Sequence, residues 1–150
     1  MTQTPDEIAG AVARALYAND RAARSLGIHV VEVGAGRSVL RMAVRTQMTN
    51  GYDIGHGGIT FTLADTAMAY ASGSFNRTAV ASMAQISFLK PTYAGDILTA
   101  TAEETAAAGR TGVYDIDVRN QKGEQVAVFR GQTQTIKGKV IEDLPVTRER

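Results

Sequence analysis

The chain has 150 residues, enough to bury a real core in one domain and too few for two ordinary ones. Sixteen basic against fifteen acidic residues leave a formal charge of +1, so no global field directs it to nucleic acid or to a membrane surface. The absence of cysteine excludes disulfides, thiolate metal sites and cysteine nucleophiles, and fits a reducing, cytoplasmic setting.

The first residues lack a basic region followed by an apolar run, and no stretch approaches the about 18 apolar residues of a spanning helix, so neither export nor membrane insertion is expected. Thr4-Pro5-Asp6-Glu7 opens a helix, with Thr4 as cap, proline in the first turn and acids beside the positive dipole end. Ile8, Val12, Leu16 and Tyr17 recur at helical spacing while Arg14, Asp20, Arg21 and Arg24 take other faces, so an amphipathic helix is expected over about residues 5–25. Residues 28–33 and 38–45 read as a hairpin around Gly34-Ala35-Gly36-Arg37, in which Leu40, Met42 and Val44 alternate with Val39, Arg41 and Ala43.

After a loop over residues 50–58, residues 59–71 are apolar or small on nearly every side, the pattern of a helix buried all round. Beyond it the period becomes two. Strands are expected at 79–90, 97–103, 111–119 and 125–136, broken by Pro91 and Gly95, by residues 106–110, and by Asn120-Gln121-Lys122-Gly123. Residues 142–150 read as a charged, loose tail. Nothing but the sheet can cover the apolar helix. The expectation is one α+β domain with an antiparallel sheet of five to six strands wrapped around a long central helix.

Asp65 is the only charge within that helix, and an ionised carboxylate there costs several kcal/mol unless paired or solvated. Upstream, Gly57 and Gly58 at the helix start offer N–H groups without intrahelical partners, aimed with the positive dipole end at whatever binds, a setting that favours an oxyanion. Alternatively the two glycines simply make the turn. At ~1.5 Å rise per residue, Gly57 and Asp65 are about 12 Å apart along the axis, whereas a reacting carbonyl carbon must lie roughly 3 Å from both attacking group and oxyanion donor. Sharing one reaction therefore calls for two antiparallel copies of the helix, Gly57 of one facing Asp65 of the other, in a homodimer with two composite sites.

His56-Gly57-Gly58 followed by Leu63-Ala64-Asp65-Thr66-Ala67, with Asn50-Gly51 before it and Phe88-Leu89-Lys90-Pro91, Ala94-Gly95-Asp96 and Thr111-Gly112-Val113-Tyr114-Asp115-Ile116 after it, resembles the PaaI subfamily of hotdog-fold acyl-CoA thioesterases. The resemblance spans about residues 10–138. It implies that Gly57 polarises the thioester carbonyl, that Asp65 is nucleophile or general base, and that Asn50 and His56 orient the carboxylate, a water or the thioester. It also aligns Ser82 with a serine that places the attacking water in some relatives, and it implies homotetramers built from two dimers. Where relatives of the 4-hydroxybenzoyl-CoA type carry a threonine one turn after the acid, this chain has Ala69. Asn50 and His56 equally suit a turn and a structural hydrogen bond.

No metal or cofactor is called for, because coenzyme A is part of the substrate. Lys90, Arg110, Arg130 and Lys137 are candidates for its phosphates, and Tyr52, Met68, Phe75 and Met83 for the acyl group, each with ordinary surface or core packing as the plainer reading. The subfamily points to phenylacetyl-CoA or its hydroxylated relatives in phenylacetate breakdown. Two other readings are a hotdog dehydratase using His56 with Asp65, and a non-catalytic acyl-CoA-binding protein.

Overall fold

The computed structural model describes residues 2–148. Helix α1 (Pro5–Asn19) starts as its sequence dictates: the Thr4 hydroxyl accepts from the Glu7 N–H, and the Glu7 carboxylate accepts from the Thr4 N–H at 2.8 Å. The single helix expected over residues 5–25 is two. Asp20 leaves helical geometry, and its Oδ1 accepts from the Ala23 N–H at 3.1 Å to cap a short helix, α2 (Arg21–Ser25). An aspartate that bonds nearby backbone competes with helix continuation. Here Tyr70 secures it, donating its hydroxyl to Asp20 Oδ2 at 3.2 Å.

The strands are β1 (His29–Gly34), β2 (Arg37–Ala43), β3 (Ala79–Phe88), β4 (Ile97–Ala108), β5 (Thr111–Arg119) and β6 (Gln125–Thr135). They form one sheet in the order β1-β2-β4-β5-β6-β3, antiparallel throughout. Strand β4 runs five residues past its expected end at 103. A register shift between Glu104 and Ala106 absorbs Thr105 as a bulge, and pairing with β5 resumes through Ala108 to a tight turn where Gly109 takes φ 57°. Helix α3 (Gly57–Gly73) packs on one face of the sheet. Its Leu63, Ala64, Ala67, Met68 and Ala71 meet Leu40, Met42, Leu98, Tyr114, Ile116 and Phe129 in a continuous core.

Helix α3 is not buried all round. Gly58 and Ala69 are exposed, and Phe61, Thr62, Asp65 and Thr66 are partly open, a stripe at helical spacing on the side away from the core. Strand β3 is also unusually bare. It pairs only with β6, so its other edge is unpaired, and residues 80–85 are exposed.

The tail expected to be loose from residue 142 is docked as far as Arg148, while residues 149 and 150 lie outside the described residues. Asn76 is fully buried at φ 62°. Its Nδ2 donates to the carbonyls of Ile141 and Leu144, both at 2.9 Å, and its Oδ1 accepts from the Ile141 N–H at 2.8 Å. Arg148 then stacks 3.8 Å over the Phe75 ring and forks onto both oxygens of Glu104. Asparagine tolerates the left-handed region, so one residue both turns the chain after α3 and clamps the tail. Asn76→Ala is expected to lower unfolding stability in urea by about 2–4 kcal/mol, through the lost bonds and the strained φ. It also opens residues 139–148 to limited proteolysis, with α3 and the sheet still protected.

Candidate active site

The start of α3 is fixed by the residues before it. The His56 N–H donates to the Met48 carbonyl at 2.8 Å and the Gly55 N–H to the Thr92 carbonyl at 2.6 Å, while a side chain at Gly55 would land on the Thr92 hydroxyl. His56 is the N-cap: its Nδ1 accepts from the Gly58 N–H at 3.0 Å. The Ile59 and Thr60 N–H groups bond the His56 carbonyl at 3.0 and 3.4 Å. Of the first-turn donors, then, Gly58, Ile59 and Thr60 are spoken for, and only the Gly57 N–H has no acceptor among the described residues. A single backbone donor at the positive end of a 17-residue helix remains.

This geometry corrects the expectation for Gly58, whose N–H is held by His56. It also defines the histidine. An imidazole that accepts at Nδ1 carries its hydrogen at Nε2, so His56 has a donor to offer and no second lone pair with which to take a proton. A dehydratase base is not available there while the cap is intact.

A groove of about 480 Å³ opens at this end of α3, lined by Asn50, Gly57, Phe88, Leu89, Lys90 and Val126 among others. Asn50 turns its loop by accepting from the Tyr52 N–H at 2.9 Å, which leaves its amide Nδ2 as a donor. Lys90 pairs with Glu124 at 2.6 Å at the rim. The structure thus gathers Asn50, Gly57 and Lys90.

Asp65 stands apart. It is half-buried with no hydrogen bond or ion pair among the described residues, and burial alone pushes its pKa above the ordinary carboxylate value. The neighbouring hydroxyls do not relieve it: Thr62 and Thr66 donate back to the carbonyls of Gly58 and Thr62 at 2.9 and 2.6 Å. Ser82 is the bulged residue of β3, where the register shifts between Ala81 and Met83, and it is exposed. Bulges gather beside functional sites because they re-aim a side chain.

Several expected substrate contacts lie elsewhere. Met68 is 1% exposed and occupies the space a side chain at Gly131 of β6 would need, so it is core. Phe75 is buried beyond the far end of α3 under Arg148. Tyr52 is 86% exposed at the tip of its loop. Met83 pairs with Gln132 three residues before Ile86, which faces Phe129 and the core, so Met83 is on the opposite face of the sheet from α3. Arg130 shares that outer face and is tied to Asp115 by two bonds of 2.6 and 2.7 Å. Arg110 and Lys137 are exposed at the other end of β6 from Lys90. Phe88 and Leu89, which line the groove, belong to the Phe88-Leu89-Lys90-Pro91 segment that carries the family resemblance but are not among the expected site residues. Their signal was two large apolar residues ending a strand just before Lys90-Pro91.

Among the described residues no His, Asp and Glu side chains cluster to hold a metal ion, and no helix is long and apolar enough to cross a membrane. Residues 52–127 match the family model described as Thioesterase superfamily. Acyl-coenzyme A thioesterase PaaI of Escherichia coli (strain K12) is 48% identical over 128 residues, 85% of this chain and 91% of that protein. The solved structure of the E. coli PaaI protein from the phenylacetic acid degradation operon superposes with a TM-score of 0.89 at 46% identity, covering 91% of this chain and 99% of that one. A hypothetical thioesterase protein from Streptococcus pneumoniae, solved with coenzyme A, superposes with a TM-score of 0.72 at 26% identity over 75% of this chain and 90% of that one. With a six-stranded antiparallel sheet packed on one long helix, and with relatives aligned along most of its length, the chain belongs to the hotdog-fold thioesterase superfamily and is a hydrolase of thioesters.

Proposed function

We propose that the chain hydrolyses acyl-coenzyme A thioesters in sites shared between two copies, with aryl-acyl groups such as phenylacetyl or hydroxyphenylacetyl as the acyl part. The observation that carries this reading is the pair on α3: an N–H at Gly57 and a desolvated carboxylate at Asp65, neither with a partner among the described residues. They are about 12 Å apart along one helix and need a second helix to meet. The open stripe of α3 and the bare edge of β3 supply a surface for that second copy.

In this reading the thioester carbonyl oxygen accepts from the Gly57 N–H, and Asp65 of the other copy attacks the carbonyl carbon or takes a proton from the attacking water. The C–S bond breaks, coenzyme A leaves as thiolate, and water supplies the oxygen of the free acid. The Asn50 amide, the His56 Nε2–H and the Ser82 hydroxyl orient carbonyl, carboxylate or water. Antiparallel pairing brings Arg110 and Lys137 of one copy toward the Lys90 end of the other, where the phosphates of coenzyme A need cations. No cofactor takes part. The operon of the E. coli relative supports a place in phenylacetate breakdown; the proposal sets the chain in the cytoplasm, as a dimer or as a tetramer of two such dimers.

The test is thiol release over phenylacetyl-, 3,4-dihydroxyphenylacetyl-, benzoyl- and straight-chain acyl-CoA, with sedimentation velocity at the assay concentration. Aryl-acyl substrates are expected to exceed straight-chain ones by about tenfold or more in kcat/KM. Equal rates across the panel sink the acyl assignment, and a fully active monomer sinks the shared site.

A further inference from the structure

The Cβ position of Gly57 is not open space left for a ligand. A Cβ there would lie 2.9 Å from Cζ of Phe88, with Cε1 and Cε2 at 3.2 and 3.4 Å, so the ring of Phe88 points end-on at the backbone of the first residue of α3. The strand geometry explains why. Ile86 pairs with Phe129 and packs on the core, and Phe88, two residues on, has the same facing and reaches past the last core layer onto the helix start. The strand end is held by Phe88 pairing with Ala127 and by the Leu89 N–H donating to the Val126 carbonyl at 2.9 Å. The ring is nevertheless 56% exposed and lines the groove that Gly57 also lines. It is neither buried core nor an idle surface residue.

We infer that Phe88 walls off the Gly57 N–H from water, so that this single donor acts on the developing oxyanion in a locally dry, low-dielectric setting. The inference rests on Gly57 being the oxyanion donor. One N–H in contact with solvent is shared with water and gives little; the same N–H with an apolar ring on one flank keeps its dipole for the substrate oxygen, where charge interactions are stronger. Charge on that oxygen grows only in the transition state, so the effect falls on kcat rather than on binding. Phe88 is thus a positioning residue that acts through Gly57. A side chain at position 57 would have to displace the ring, since its Cβ would lie 2.9 Å from Cζ of Phe88.

Phe88→Ala is expected to lower kcat by about tenfold with KM within about threefold, and Phe88→Leu to recover most of the loss by restoring apolar bulk. In a Gly57→Pro background, which lacks the N–H and whose own Cβ already displaces the ring, Phe88→Ala should cause no further loss. A ring that only packs would lower Tm and leave kcat alone. Unchanged kcat in Phe88→Ala overturns the inference, as does a loss of equal size in both backgrounds. Either outcome leaves the Asp65 reading standing, which fails separately if Asp65→Asn still turns over.

Discussion

Asp65→Asn is expected to lower kcat by about 10²–10⁴-fold with little change in KM, since the amide keeps the shape of the carboxylate and loses its basicity and nucleophilicity. Thiol release under saturating substrate measures it, and turnover near the wild-type rate would remove Asp65 from the mechanism. The same substitution should make the protein more stable at neutral pH. Burial raises the Asp65 pKa above its unfolded value, so the folded chain binds this proton more readily than the unfolded chain. The contribution is present below the ordinary carboxylate pKa and is lost as pH rises through the raised one. Asparagine escapes that loss. Tm of Asp65→Asn should exceed that of wild type at pH 8, with the gap closing toward pH 4, and kcat/KM of wild type should rise with pH through an apparent pKa above the usual carboxylate value. A wild type as stable as the variant at pH 8 would mean that the carboxylate is compensated in the folded state. A gain in stability together with a loss of activity is how a strained catalytic group behaves.

Gly57→Pro should lower kcat by about 10²–10³-fold relative to Gly57→Ala, the loss typical of one oxyanion donor. Backbone donors are hard to delete, but the first position of a helix is an exception, because proline is favoured there and the N–H has no helical partner. His56 already has φ -65° and ψ 129°, the extended geometry that a residue before proline adopts. Alanine introduces the same Cβ 2.9 Å from the Phe88 ring while keeping the N–H, so it carries the steric part of the change. Circular dichroism should show both variants folded. Equal kcat for the two would show that the N–H does nothing in the reaction.

What the sequence disclosed was what local periodicity controls. Thr4-Pro5-Asp6-Glu7 specifies its helix start through its own side chains, and the alternation Tyr114, Ile116, Val118 forces a strand whichever neighbour it meets. The site was legible where chemistry and position coincide, in a charge on an apolar helix and in glycines at its start. The rest depends on partners far along the chain. Asp20 ends α1 with Tyr70 holding it from α3, and Asn76 captures a tail more than sixty residues later. Whether Arg130 is available to a phosphate is settled by the register that sets it opposite Asp115. Met68 and Phe75 are near the motif in sequence, but that nearness reveals neither which face of α3 meets the sheet nor where the chain turns after it.

The two sides of the sheet end differently. Beside β1, α1 is tied down by Tyr17 donating to the Ile28 carbonyl at 2.7 Å and by the Asp6 carboxylate accepting from the Ala35 N–H at 2.9 Å. Beside β3 there is no such helix, and the Ser82 bulge interrupts its ladder with β6. A molecule adhesive on both flanks could add copies without end, whereas one adhesive on a single flank stops growing once two copies have met. In the proposed pairing the bulge narrows the encounter further, because a slipped alignment would set an irregular segment against a regular one. In that pairing along β3, it is α1, held on the opposite flank of the sheet, that keeps a pair from adding further copies edge to edge.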